Sequence, residues 1–197
     1  MLIQFIVRAT TPELIESQVR FALEKEVNWI EIDAPDTVDD KTLGDLIGKL
    51  RPELAEKSTV LILGRRPELA KEAQADGVHI YTSDKPISAV RVAMEAWPII
   101  GVNVKDLTQA EAMRALDIDY LFFESAGTPE DLETIREIAK FLDDNAVEMP
   151  LVVGGDITEG NIQLHVDAGA TAIATSDPDT LGTLQHFAAN LDPVNIV

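Results

Sequence analysis

A chain of 197 residues with 46% hydrophobic composition can bury a substantial core, and no stretch of it has the composition of a linker, so one domain is expected. With 35 Asp and Glu against 16 Lys and Arg, the formal charge of −19 repels nucleic acid and anionic membrane surfaces, which excludes polynucleotide partners and a membrane-surface role. The absence of cysteine excludes disulfides, thiolate metal sites and cysteine nucleophiles, and no apolar run approaches the length that crosses a bilayer.

The same acidic field opposes an anionic small substrate. A phosphate site would therefore need local N–H donors, a few basic side chains or a bound divalent cation such as Mg²⁺. A solvated surface tuned for solubility explains the charge without any ligand. The first residues read as a strand entering a capped helix rather than a leader, which predicts a cytoplasmic protein.

In chain order, LIQFIV at residues 2–7 reads as a strand, and Thr11-Pro12-Glu13 starts a helix to about Glu26 with Leu14, Ile15, Val19, Ala22 and Leu23 at helical spacing. NWIEID at 28–33 alternates apolar with polar. After an acidic loop, a helix through Leu43, Leu46, Ile47 and Leu50 is expected to close at Arg51-Pro52. TVLIL at 59–63 precedes a short helix through Leu69 and Ala73, and GVHI at 77–80 precedes one from Pro86 to about Ala96. IIGV at 99–102 leads to a helix near Thr108 to Leu116, and DYLFF at 119–123 leads to one from Thr128-Pro129 to about Asp143.

Two further units complete the chain. Leu151 to Val153 is apolar and stops at Gly154-Gly155, after which Thr158 is placed to cap a helix; Ala172-Ile173-Ala174 stops at Thr175, with Ser176 or Asp177 capping a helix whose first position is Pro178. Eight alternations of strand and helix predict parallel pairing with right-handed crossovers, hence an α/β fold closed as a (β/α)₈ TIM barrel; a doubly wound open sheet is the alternative.

In such a barrel, chemistry gathers at the C-terminal ends of the strands on inward-pointing residues. Parity places Gln4, Ile6 and Arg8 on one face of the first strand and turns Glu31 and Asp33 toward the mouth. Arg65 and Arg66 follow the third strand, Tyr81, Thr82 and Asp84 the fourth, Asn103 and Lys105 the fifth. Tyr120, Phe122 and Glu124 share a face in the sixth, and Asp156 ends the seventh. The candidate catalytic set is Glu31, Asp33, Arg66, Lys105 and Asp156. Gly154, Gly155, Thr175 and Ser176 are the candidate phosphate-binding residues, because backbone N–H groups at two neighbouring βα turns converge on one anion. Asp84 is the candidate metal ligand. The crowded carboxylates require Mg²⁺ or pairing with Arg8, Arg66 and Lys105, and the second arrangement would only satisfy polar groups above a narrow barrel. His79, Trp29, Tyr120 and Phe122 are expected in the core.

These features together resemble the thiamine phosphate synthase and thiazole tautomerase family. The resemblance runs over nearly the whole chain through Arg66-Pro67-Glu68-Leu69-Ala70, Ala75-Asp76-Gly77-Val78-His79-Ile80, Ile100-Gly101-Val102, Asp119-Tyr120, Gly154-Gly155, Asn161 and Ala168-Gly169-Ala170. It implies magnesium-assisted loss of diphosphate from an aminopyrimidine, followed by attack of a thiazole phosphate nitrogen. The departures fall on the mouth. The family's Gln-x-Arg-x-Lys is here Glu31-Ile32-Asp33-Ala34-Pro35, and its Asn-Asp-Arg is Gly64-Arg65-Arg66. Asp84 matches a magnesium Asp, but Thr82 replaces the Gln before it. The Gly-Pro and Thr-x-Thr-Lys loop is replaced by the run from Phe123 to Thr128, and the tautomerase His has no counterpart near Glu124.

Three functions follow as expectations: a synthase relative with altered or lost catalytic residues; a non-catalytic binder of a phosphorylated or cationic small molecule; or another phosphate-dependent lyase or isomerase with Glu31, Asp33 or Asp156 as base. A phosphorylated small molecule is the expected ligand, and apolar residues on the outer helices make a homo-oligomer the expected assembly.

Overall fold

The computed structural model describes residues 1–81, 87–94 and 98–190. Its strands are β1 (Leu2–Val7), β2 (Trp29–Ile32), β3 (Val60–Gly64), β4 (Gly77–Ile80), β5 (Ile99–Asn103), β6 (Tyr120–Ser125), β7 (Leu151–Gly155) and β8 (Ala172–Thr175). Each is followed by a helix: α1 (Pro12–Glu24), α2 (Asp40–Glu56), α3 (Pro67–Glu72), α4 (Ile87–Met94), α5 (Leu107–Met113), α6 (Pro129–Asp144), α7 (Ile162–Asp167) and α8 (Pro178–Asn190). All neighbouring strands pair in parallel, and β8 returns to β1 with Leu2 opposite Ala172 and Phe5 opposite Thr175, so the sheet is a closed barrel and not the open alternative. No helix among the described residues is long and apolar enough to cross a membrane.

Strand alternation separates two apolar environments. Ile30 and Ile32, Leu61 and Leu63, and Ile100 and Val102 face the helix shell and are buried there. Full burial of each such side chain is worth about 1.5–3 kcal/mol. The opposite face fills the barrel with Ile6, Trp29, Ile62, Tyr120, Phe122 and Val152, Trp29 meeting Tyr120 edge-on at 5.1 Å between ring centroids. Tyr120 fits because its neighbour is Gly101: a Cβ there would lie 1.9 Å from the Tyr120 ring.

Helix starts follow the capping chemistry of the sequence. Thr11, Asp39 and Asp106 side chains accept from Leu14, Thr42 and Gln109 N–H, and Thr128 with Asp131 forms a reciprocal capping box. Helix ends share a second device. Glu26, Ser58, Gln74 and Ala146 take left-handed backbone, with φ of 58°, 53°, 54° and 50°. The next N–H then reaches back into the last turn, as in Val27 to Ala22 O at 3.0 Å and Val147 to Leu142 O at 2.9 Å.

Three boundaries differ from expectation. α2 passes through Pro52 to Glu56, because proline removes one N–H bond while the buried Leu54 anchors the turn beyond it. α7 begins at Ile162 rather than after Thr158: the Asn161 side chain accepts from Thr158 N–H and donates to the Asp156 carbonyl, both at 2.8 Å, which folds residues 158–161 into a turn. α5 ends at Met113, short of Leu116.

Candidate active site at the barrel mouth

The interior is apolar low in the barrel and polar above. Gln4 Nε2 donates to Glu31 Oε2 at 2.9 Å, and His79 Nδ1 lies 2.9 Å from both Glu31 oxygens, with the Glu31 and His79 side chains each 1% exposed. Burial alone would depress the His79 pKa, but the Glu31 carboxylate, helped by the Asn103 side chain and Asp33, raises it. The carboxylate thus favours the protonated imidazole. Burial and then the Glu31 charge push the Tyr120 phenol well up, so it stays neutral. Gln4 Oε1, Trp29 Nε1, His79 Nε2, Asn103 Oδ1 and Tyr120 OH are buried with no partner in hydrogen-bond geometry among the described residues, which concentrates unmatched polarity in the barrel centre.

One level higher, five strand ends meet. Arg8 Nε is 3.5 Å from Asp33 Oδ2, and its Nη1 donates to Glu124 Oε1 at 3.3 Å, so the guanidinium bridges the β2 and β6 sides of the mouth. Arg65 Nε is 3.5 Å from Asp33 Oδ1, and its guanidinium carbon lies 4.1 Å from the centre of the Tyr81 ring. The Tyr81 hydroxyl donates to Asp33 Oδ2 at 3.4 Å, and its ring stacks on His79 at 5.4 Å. Burial, then the Glu31 charge, raise the Asp33 pKa against the pull of Arg65 and Arg8. Burial and the Asp33 charge raise Tyr81 in the same way.

The expected catalytic residues are thus distributed over three environments. Glu31 belongs to the buried layer and Asp33 to the rim above it. Arg66 is held by the loop after β2: Nη1 donates to Asp40 Oδ1 at 2.7 Å and Nη2 to the Pro35 carbonyl at 2.8 Å. Lys105 is exposed and lines a cavity of about 380 Å³ with Tyr81, Asn103, Glu124 and Asp131. Asp156 is exposed beyond β7, its N–H donating to Ser125 O at 2.8 Å. Asp84 lies outside the described residues.

The corner expected to bind phosphate is assembled. β7 and β8 are neighbours with Val153 opposite Ile173, which brings Gly155 level with Thr175. Both glycines also answer to packing: a Cβ on Gly154 would sit 2.6 Å from the Phe122 ring, and Gly155, at φ +98°, passes so close to β6 that a Cβ would lie 2.2 Å from Ser125 O. The chain already supplies partners here. Thr175 Oγ1 accepts from Asp177 N–H at 3.0 Å, and Asp177 caps α8, accepting from Asp179 N–H at 3.1 Å. The hydrogen bond from Thr180, then that from Asp179 N–H, lowers the Asp177 pKa.

A pair that sequence reasoning missed braces this corner. The buried His165 donates Nδ1–H to Asn161 O at 2.9 Å, leaving Nε2 to pair with the Ser125 hydroxyl at 3.0 Å, while Ser125 Oγ accepts from Gly127 N–H at 3.0 Å. Ser125 faces the helix shell and is 40 positions from His165, so no local pattern links them. Among the described residues no three or more His, Asp or Glu side chains converge as metal ligands, and Asp33 already faces two guanidinium groups. The described residues alone therefore do not form a Mg²⁺ site.

Residues 3–177 match the sequence model of a family described as thiamine monophosphate synthase. The chain is 27% identical over 187 residues to a thiamine-phosphate synthase of Bacteroides fragilis, covering 88% of this chain and 89% of that one. It is 32% identical over 134 residues to a thiamine-phosphate synthase of Haloarcula marismortui, covering 64% and 63%. Among solved structures, the thiamine phosphate pyrophosphorylase from Pyrococcus furiosus superposes with a TM-score of 0.79 at 24% identity, covering 95% of each chain. A 3-keto-L-gulonate-6-phosphate decarboxylase from Vibrio cholerae reaches 0.70 at 17%, covering 98% and 99%. At these identities the structural matches establish the barrel alone.

Proposed function

Because the chain belongs to the thiamine monophosphate synthase family, we propose that it acts in thiamine biosynthesis, joining an aminopyrimidine diphosphate to a thiazole phosphate at a mouth whose charged residues have been exchanged. The observation that carries this reading is the span of the family match, which runs from β1 to the start of α8 and so includes every strand end of the barrel. In the reaction the bond between the pyrimidine methylene and the diphosphate oxygen breaks, diphosphate leaves with the electron pair, and the thiazole nitrogen closes the new C–N bond. Stabilising the departing charge is the dominant demand on the protein.

This chain's residues divide that work. Gly155, Thr175 and Ser176 form the corner for the thiazole phosphate, with main-chain N–H groups as donors. Asn103 and Lys105 line the cavity beside Tyr81, where a heterocycle would lie between the corner and the rim. Glu31 and His79 act from below: their buried pair fixes the ring under Tyr81 and sets the field at Asp33. No step is assigned to a metal ion, since the described residues do not form a site for one. A cytoplasmic location and assembly as a homo-oligomer belong to the same proposal.

A second reading has its own observation. Arg8 and Arg65 lie against the protein's carboxylates and Arg66 against its own loop, as in a binder of phosphorylated small molecules that has lost the synthesis step. One experiment separates the two: purified protein is mixed with hydroxymethylpyrimidine diphosphate and thiazole phosphate, with and without Mg²⁺, and thiamine phosphate is measured. Product dependent on both substrates supports the synthase. A raised melting temperature with thiazole phosphate and no product supports the binder. Neither result would leave both readings without support.

A further inference from the structure

The turn after β7 is enclosed by a ring of hydrogen bonds to which the proposed reaction gives no part. Ser125 Oγ pairs with His165 Nε2 at 3.0 Å, His165 Nδ1 with Asn161 O at 2.9 Å, Asn161 Nδ2 with Asp156 O at 2.8 Å, and Asp156 N–H with Ser125 O at 2.8 Å, which closes the circle. We propose that Ser125 and His165 are positioning residues for the phosphate corner: they hold the Gly155 turn in its binding geometry before a ligand arrives, and so set how tightly a phosphate monoester is bound there. The proposal rests on the reading above that this corner takes the thiazole phosphate, and it adds two buried side chains that the ligand itself does not touch.

Each member of the ring is held from more than one side. Because His165 Nδ1 faces a carbonyl oxygen, it carries the ring hydrogen; the Ser125 hydroxyl then donates to Nε2 and keeps a lone pair for Gly127 N–H, 3.0 Å away. The Asn161 side chain accepts from Thr158 N–H at 2.8 Å while it donates to Asp156 O. Gly155 O accepts from Ile157 N–H at 2.8 Å, so the peptide between Gly155 and Asp156 is fixed at both its oxygen and its hydrogen. The ring ties together the end of β6, the turn after β7 and the start of α7.

Its location directs the effect to the corner. Ser125 and His165 are 2% and 0% exposed, so water does not replace a partner that is lost, and the other side chain is left with a buried unmatched group. Gly155, at φ +98°, lies directly against Ser125, a Cβ on it falling 2.2 Å from Ser125 O, so any shift of Ser125 is passed to Gly155. α7 has only six residues and no side-chain cap at Asn161, and its own backbone bonds give the turn little support. An anion held by main-chain N–H groups needs those groups already aimed at it, and a turn fixed in advance spares the ordering cost of binding.

The test is a metal-free titration of thiazole phosphate into the full chain, followed at the Gly155 and Ser176 amide resonances, with melting curves confirming that each variant is folded. His165→Phe and Ser125→Ala are each expected to weaken binding about tenfold, the equivalent of one buried hydrogen bond. The double variant should be little weaker than either single one, because both changes break the same bond. His165→Gln, whose amide can accept from Ser125 and donate to Asn161 O, should restore affinity close to the native value. Ile47→Val, a buried change under α2, lowers stability away from the ring and should leave affinity unchanged, which separates positioning from stability at large. Native affinity in His165→Phe and Ser125→Ala, additive losses in the double variant, a His165→Gln variant as weak as His165→Phe, or an equal loss in Ile47→Val would overturn the positioning role alone. No response at Gly155 and Ser176 in the native chain would overturn it together with the phosphate corner. Failure to make thiamine phosphate while the variants rank as expected removes the synthase reading and leaves the ring in its role.

Discussion

Two places on one rim hold a carboxylate of the protein where an outside anion could sit, and they hold it in opposite ways. At the β7–β8 corner Asp177 accepts from Asp179 N–H at 3.1 Å and from the Thr180 hydroxyl at 2.5 Å, and those bonds lower its pKa. On the β1–β3 side the described donors Arg8, Arg65 and Tyr81 stand 3.5, 3.5 and 3.4 Å from Asp33, and burial with the neighbouring Glu31 charge raises its pKa. The glycine corner, which looks most like an anion site in the sequence, has its helix cap filled from within. The acidic rim, which looks least like one, holds its carboxylate through longer contacts to Arg8, Arg65 and Tyr81. A charge tally of the mouth misses this difference, because what matters for ligand exchange is how well each charge is already satisfied.

The rim stands on the buried pair below it, and removing that support gives the largest expected effect. Glu31→Ala leaves the buried His79 imidazole without its partner and should destabilise the fold by about 3–5 kcal/mol in urea denaturation. The pair also has a pH signature. His79 has a raised folded pKa, so its contribution is fully present below the unfolded value of about 6.5 and is lost as pH rises through the folded value. Native protein should lose stability on that alkaline side, and Glu31→Gln should not show the same loss; parallel slopes would mean that the imidazole is neutral.

The corner is tested next by Gly155→Ala. The residue has φ +98°, and the new Cβ would lie 2.2 Å from Ser125 O, a backbone atom that cannot turn aside. A loss of about 2–4 kcal/mol is expected from strain and displaced β6 together. An alanine variant as stable as the native chain would show that the corner adjusts freely, and the contrast drawn between the corner and the rim would weaken.

The barrel was legible because its periods are simple. Ile30 and Ile32 against Glu31, or Leu121 and Phe123 against Tyr120 and Phe122, sort themselves by strand parity, and Thr128-Pro129 announces α6. Parity also found the inward positions of Arg8, Glu31, Asp33 and Glu124. It did not give their depth. Glu31 and Asp33 are two residues apart on one strand, yet one pairs with a histidine in the barrel centre and the other with arginines at the surface. Depth depends on the stagger between strands, here Ile6 opposite Glu31 and Gly64 opposite His79, which no single segment encodes. Arg66 shows the other limit. Its bonds to the Asp40 carboxylate and the Pro35 carbonyl join it to a segment far earlier in the chain, and only the folded chain reveals them.

The smaller effects compare the two carboxylates directly. Asp33, with its raised folded pKa, is most compatible with the fold when protonated, so its contribution to stability declines as pH rises from the unfolded value of about 3.9 through the folded one. Asp177 has the reverse sign: its lowered folded pKa gives stability above about 3.9 that disappears as pH falls through the folded value. Between acid and neutral pH, Asp33→Asn should therefore gain on the native chain, by less than about 1 kcal/mol given the partial screening at the rim. Asp177→Ala should lose ground over the same range as the α8 cap is removed, lowering the melting temperature by about 2–4 °C near neutral pH and by less in acid. Two differences of the same sign would remove the distinction between a carboxylate held by short bonds at the corner and one held by longer contacts at the rim.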